Sequence, residues 1–226
     1  MDWSVVDFQA LWLSTKVAVV ATLVSLPFGM GLATLLTFKS FRGKTALELL
    51  LMLPLTLPPV VIGYILLILL GQHGWLGSLL RTWGIQILFT WKAAVLASAV
   101  VGFPLLVRAL RLQLENLDPR LFQAARTLGA SRTDVFFSLI LPLSGRGLLS
   151  GSSLLFARSL GEFGATIIVA GNIPGVTQTL PLAIYDYAGS PGGGKTAWAL
   201  CAVAVVVSLA VLGLQAWLAK KISPAK

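Results

Sequence analysis

The sequence predicts an all-α, polytopic membrane protein that crosses the bilayer about five times, and three observations carry that prediction. Hydrophobic residues make up 57% of the 226 and charged residues only 11%, about half the charged share of a soluble domain. The apolar residues gather into five runs, each long enough to cross ~30 Å of hydrocarbon at about 1.5 Å per helical residue. Most basic residues lie outside those runs, concentrated in alternate connections. A soluble fold has too little interior to hide this much apolar surface. The whole chain, 1–226, reads as one membrane domain.

The runs cover about 12–36, 46–70, 92–111, 147–171 and 197–219. Lys16 lies near the outer end of the first, where its long stem reaches the interface. Pro27, then Pro54, Pro58 and Pro59, then Pro104 interrupt three runs. Membrane helices tolerate proline when neighbours or water satisfy the freed carbonyls, so these read as kinks or as gating points. Residues 74–90, with Trp75 and Trp83, predict an interfacial helix, the alternatives being a re-entrant piece or part of a sixth span. Residues 172–194, with Pro174, Pro181 and Pro191, predict an outer loop. Residues 1–4 carry no basic stretch, so the first run is expected to stay in the mature protein.

Charge placement predicts orientation. With the amino terminus outside, the inner segments hold twelve Lys and Arg, the outer ones hold four, and Arg158 falls within a span. Basic residues collect on the cytoplasmic side, so the amino terminus is expected outside and the carboxyl terminus inside. That bias accounts for the net charge of +9 without nucleic acid. Cys201 and His73 are the only residues of their kinds, which excludes an internal disulfide and a Cys/His metal site.

One inner connection, about 112–145, is patterned. Asp118-Pro119 is a helix start, a cap followed by proline at the first position. Leu121, Ala124, Ala125 and Leu128 follow at helical spacing as one apolar stripe. Gly129 supplies a positive φ to end the helix. Ser131, with Asp134 three residues on, restarts one, and Val135, Phe136, Leu139 and Ile140 continue it to Pro142. Two short helices joined by a tight turn are expected. On pattern alone they are an amphipathic connector on lipid headgroups, a docking element, or a DNA-binding helix-turn-helix. The last is disfavoured by the spans that tether it.

Here the residues resemble a known signature. Gln123-Ala124-Ala125, Gly129 and Leu139-Ile140-Leu141-Pro142 match that of importer-type ABC permeases, with Gln123 in place of Glu and Leu139 in place of Ile. The first exchange removes a charge and with it any salt bridge that Glu makes in relatives. Residues 156–166, 171–175 and 57–64 are similar to the molybdate transport permeases, over roughly 12–215. Sulfate, thiosulfate and tungstate permeases are similar in the same places, so oxyanion import is the broader implication.

The resemblance implies that Leu121, Gln123, Ala124, Ala125, Leu128, Gly129, Leu141 and Pro142 couple the chain to a separate ATPase, docked in a groove on it. It implies a bacterial cytoplasmic (inner) membrane location. It also implies two ATP-binding cassette subunits, which carry the ATP and magnesium, and a periplasmic or lipid-anchored oxyanion-binding protein. No cofactor is expected on this chain, and the chain itself is expected to be non-catalytic. Five helices hardly enclose a sealed route for a hydrated dianion, so a homodimer with the route on its two-fold axis is expected. Gly129→Asp is expected to abolish import.

Arg158, Ser159, Glu162 and Thr166 are candidates for the pathway or gate. Arg158 and Glu162, four apart, are expected on one helix face. Charges at membrane depth face the protein interior and mark pathways or fix packing. Glu162 beside a dianion's route repels it, which favours a role as partner to Arg158. Small residues such as Gly151, Ser152 and Gly161 suit close helix packing or a narrow pore. Gly189–Thr196 matches the phosphate-cradling pattern Gly-x4-Gly-Lys-Thr, but that mechanism needs a strand before it. A secondary transporter needs more intramembrane carboxylates or paired broken helices. An intramembrane enzyme needs a nucleophile–base pair that is not apparent.

Overall fold

The computed structural model describes residues 8–222. The readings made on residues 1–4, on Lys226 and on the placement of the two chain ends lie outside the described residues. The helices are α1 (Phe8–Phe38), α2 (Lys44–Thr56), α3 (Pro59–Leu70), α4 (Trp75–Thr82), α5 (Trp91–Glu115) and α6 (Pro119–Thr127). They continue as α7 (Arg132–Val135), a π turn (Phe136–Ile140), α8 (Leu141–Leu143), α9 (Gly145–Leu160), α10 (Gly164–Val169), α11 (Leu180–Gly189) and α12 (Gly194–Ile222). No strand occurs among the described residues.

α1, α5 and α12 are each long and apolar enough to cross a membrane alone. Two bent pairs pass the same test of length and composition only when taken together, α2 with α3, bent by 113°, and α7–α8 with α9, bent by 65°, which bounds the number of crossings at three to five. The stretch 46–70 is therefore not one straight helix. The reason is local. A residue before proline is driven out of the helical region, and Leu57 (ψ 146°) and Pro58 (ψ 134°) both precede one. Two consecutive prolines thus force two extended residues. Pro27, Pro54 and Pro104 stand singly inside α1, α2 and α5, which stay continuous.

The core is the three-way packing of α1, α5 and α9. Glycine makes it close. A methyl on Gly151 would lie 2.8 Å from Leu106 Cδ1, and one on Gly102 would lie 2.9 Å from Leu155 Cγ. Each helix thus offers a glycine gap to the other's leucine, the small-residue approach that lets membrane helices associate by dispersion. A second close contact joins α3 to α10, where a methyl on Gly63 would meet Ala165 O at 2.8 Å and Ala165 Cα at 2.9 Å. Backbone does not yield like a flexible side chain. Gly63→Ala is expected to cost about 1–3 kcal/mol by overpacking, read as a lower thermal unfolding temperature of the purified protein.

Residues 172–194 correct the expected loop. Thr177, Gln178, Thr179, Leu180, Leu182 and Ala183 are buried, and α11 packs on α12 and α1. Ser14 Oγ of α1 accepts a 2.6 Å hydrogen bond from the Leu180 amide, which satisfies one of the free N–H groups of a helix start. Pro181, placed in the first turn of α11, opens this helix rather than breaking one. Residues 74–90 do contain a short helix, α4, with Trp75 and Trp83 exposed at its ends.

Candidate functional site

The connection from Asp118 to Asp134 folds as its spacing predicts. Asp118 Oδ1 accepts from the Arg120 amide at 2.9 Å, capping α6, and Pro119 follows at the first helical position. The far end closes through two bonds, Ala130 N–H to Ala125 O and Gly129 N–H to Arg126 O, both 3.0 Å. This is the Schellman arrangement, and Gly129 at φ 80° provides the left-handed residue that it requires. Ser131 and Asp134 form a reciprocal capping box at the start of α7. The Ser131 hydroxyl and amide both donate to the Asp134 carboxylate (2.6 and 2.9 Å). Favouring the charged form in this way holds its carboxyl below the usual 3.8.

α6 buries none of its residues. Leu121 is 42% exposed and Leu128 88%, so two leucines of the predicted stripe point away from the membrane helices. Ala124 and Gln123 are exposed and Ala125 is half-buried. What seats α6 on the body is a residue the stripe did not include: Phe122, whose ring lies 5.0 Å from that of Phe38 in α1. Nothing local marks it, since Phe122 is adjacent to Leu121 and faces the other way. The result is a helix anchored on one side by Phe122, while Leu121 and the following Leu128 stay exposed.

Pro142 does not end the second helix, as its position suggested. The chain passes through the π turn Phe136–Ile140 into α8, and Pro142, with no N–H, needs no acceptor there. Leu141 is half-buried and Pro142 exposed. The bend comes after them, where the Ser144 hydroxyl donates to Ile140 O at 2.5 Å. Thus α7 continues through the π turn and α8, across the 65° bend, into α9 of the core.

At the other end of α9 lies the second candidate site. The apolar run 147–171 is interrupted at residues 161–163, between α9 and α10. Glu162 is therefore not on the helix face that its spacing from Arg158 suggested. The two still meet, Arg158 Nη1 to Glu162 Oε2 at 2.7 Å. That contact is close but not aligned as a hydrogen bond. The other carboxylate oxygen is aligned: Oε1 accepts from the Ala165 amide at 2.8 Å, satisfying the first turn of α10. The Glu162 side chain is 1% exposed and that of Arg158 29%, so the pair reaches outward through the arginine. Ser159 and Thr166 are buried beside it in sequence, and Ser159 Oγ has no hydrogen-bond partner.

This break faces the other one. A methyl on Gly164, the first residue of α10, would lie 3.1 Å from Pro59 Cβ and 3.3 Å from the Val60 amide nitrogen, at the start of α3. The interrupted helices therefore stack at their interruptions, a relation that neither segment's pattern reveals alone. The glycine-rich Gly189–Thr196 stretch runs from the last residue of α11 to the third residue of α12, with a helix where a nucleotide-cradling loop has a strand before it. Among the described residues no group of three or more His, Cys, Asp or Glu is placed to hold a metal.

These features coincide with known proteins. The model of the "binding-protein-dependent transport system inner membrane component" family matches residues 25–224, so the chain belongs to that family. The molybdenum transport system permease protein ModB of Escherichia coli K12 is 51% identical over 215 residues, covering 95% of this chain and 94% of that one. The chloroplastic sulfate permease 2 of Chlamydomonas reinhardtii is 40% identical, over 97% of this chain and 58% of its own length. Among solved structures, the inward-facing MetNI methionine ABC transporter matches with a TM-score of 0.73 over 96% of both chains at 15% identity. The fold is that of an ABC importer permease.

Proposed function

We propose that the chain is the membrane-spanning permease subunit of an ABC importer for molybdate, and that α6–α8 is the handle its ATPase grips. The observation that carries this reading is the capped segment α6–α8, whose first helix buries none of its residues. Its two helices are capped at three of their ends, seated on α1 by Phe122, and present Leu121 and Leu128 to a partner. The close similarity to the molybdenum permease supports the cargo. The similarity to a sulfate permease favours sulfate as a second reading.

In this account ATP and magnesium belong to two ATPase subunits, a binding protein outside selects the oxyanion, and two copies of this chain enclose the route. The amino terminus lies outside and the handle is cytoplasmic. The ATPases have different affinities for ATP in their open and closed arrangements, and only that difference moves the equilibrium. Because α7 runs into α9 of the core, a displacement of the handle reaches the membrane helices as a rigid-body motion. The chain binds the dianion weakly, through hydroxyls and amides, and holds no catalytic group.

Leu128→Ser tests the handle. The side chain is almost fully exposed, so the permease alone is expected to keep its thermal stability. Losing a leucine from a buried interface is worth about 1.5–3 kcal/mol, so ATPase association is expected to weaken roughly tenfold or more, by titration of the purified subunits. The cargo is tested by uptake into proteoliposomes holding the whole complex and the binding protein. Labelled molybdate is expected to enter with ATP and to resist competition by excess sulfate. Efficient sulfate uptake in its place assigns the chain to the second reading.

A further inference from the structure

The end of α1, the end of α5 and the docking segment enclose a cavity of about 740 Å³, within the range of ligand sites. Its wall has two characters. Phe38, Leu114, Phe122, Phe136 and Ile140 make part of it apolar, while Lys39, Arg126 and Arg132 bring three positive charges. None of these three has a carboxylate partner among the described residues. The acid in the lining, Glu115, is already held by Arg111 at 3.1 Å, and Arg111 also pairs with Glu48 at 2.9 Å. With that triad counted as one negative charge, the region keeps an excess of two positive charges. Thr37 adds a buried hydroxyl with no partner. Gln123 lines the same space, a neutral amide where the permease signature has Glu, so the exchange leaves Arg126 and Arg132 without an acid there.

We propose that this cavity is a binding site for an anionic phospholipid of the inner leaflet, its phosphate between Lys39, Arg126 and Arg132 and its first chain carbons against the phenylalanines. Basic pockets at the cytoplasmic ends of membrane helices take phosphate headgroups. A bare inorganic anion would leave the aromatic wall unused, whereas an amphiphile uses both walls. The location supports the lipid as source, since Phe38 ends a 31-residue apolar helix and the exposed, charged Lys39 follows it directly. The bound lipid bridges α1 to α6 and steadies the handle. The site rests on the cytoplasmic placement of the docking segment proposed above.

The test uses the whole detergent-purified permease–ATPase complex and phosphatidylglycerol as the probe, read by native mass spectrometry. The wild type is expected to retain phosphatidylglycerol over phosphatidylcholine, and a millimolar excess of inorganic phosphate is expected not to displace it. Lys39→Ala with Arg132→Ala is expected to weaken retention about thirtyfold, two basic contacts at their usual strength near an anionic leaflet. Lys220→Ala with Lys221→Ala, at the end of α12, is expected to leave it unchanged. A photoreactive phosphatidylglycerol on the wild type needs no variant to fold, and it is expected to label peptides containing residues 34–39 and 119–136. Equal retention by the Lys39/Arg132 variant, displacement by inorganic phosphate, or labelling elsewhere overturns the proposal. Retention does not require transport, so its failure is distinguishable from a failure of the importer reading, which uptake and sidedness test.

Discussion

Gly129→Val is expected to stop import while leaving the membrane helices folded. At φ 80° the residue sits in the left-handed region, and a methyl there would meet nothing within 4 Å. The effect is therefore one of backbone conformation and not of crowding. Left-handed geometry costs an ordinary residue roughly 1–2 kcal/mol and a β-branched one the most. Relieving it breaks the two bonds that close α6 and frees α6 from α7. The handle then bends instead of transmitting. Asp tolerates this region better than most residues, so Gly129→Asp, which the sequence alone marks as abolishing import, is expected to be the milder variant. Uptake by reconstituted complexes, with ATPase co-purification and thermal unfolding beside it, checks the order. Normal import by the Val variant sinks the coupling role of the turn.

The second large effect belongs to Arg158→Ala. It leaves the Glu162 carboxylate without its counter-charge in an interior where its side chain is 1% exposed, and breaking such a pair costs about 3–5 kcal/mol. Glu162→Gln is expected to cost far less. A glutamine still offers an oxygen to the Ala165 amide, and the arginine, 29% exposed, still reaches solvent or headgroups. Thermal unfolding of the two variants reads the asymmetry. Pairing Arg158→Met with Glu162→Gln removes both charges and is expected to recover most of the stability and also the uptake. Recovery of stability without uptake would instead place the pair in the transport route itself.

Much of this was legible in the sequence because it depends on short-range chemistry. Asp118-Pro119, Gly129 and the Ser131–Asp134 box set their own local geometry, and each lies where its spacing puts it. Apolar run length located α1, α5 and α12 for the same reason. The breaks were harder. Pro58-Pro59 and single Pro104 look alike in a hydropathy profile, yet only the doublet forces two extended residues in succession. The 161–163 interruption has no proline, and there Glu162 accepts from the Ala165 amide. Thr177–Leu180 looked like loop because three prolines and several glycines surround it, while its burial depends on Ser14, 166 residues away in sequence. Phe122 and Glu48 act through partners in other helices, which periodicity does not record.

The central claim is that the capped segment from Asp118 to Leu143 faces the cytoplasm, where an ATPase grips it. Cys201 is the only cysteine in the chain, so Arg120→Cys in a Cys201→Ser background gives a single thiol at an exposed position of α6. The most direct measurement is its reaction with a membrane-impermeant maleimide. Modification in inside-out vesicles, and none in intact spheroplasts, is the predicted result. Ready modification from the outer face of spheroplasts contradicts the account.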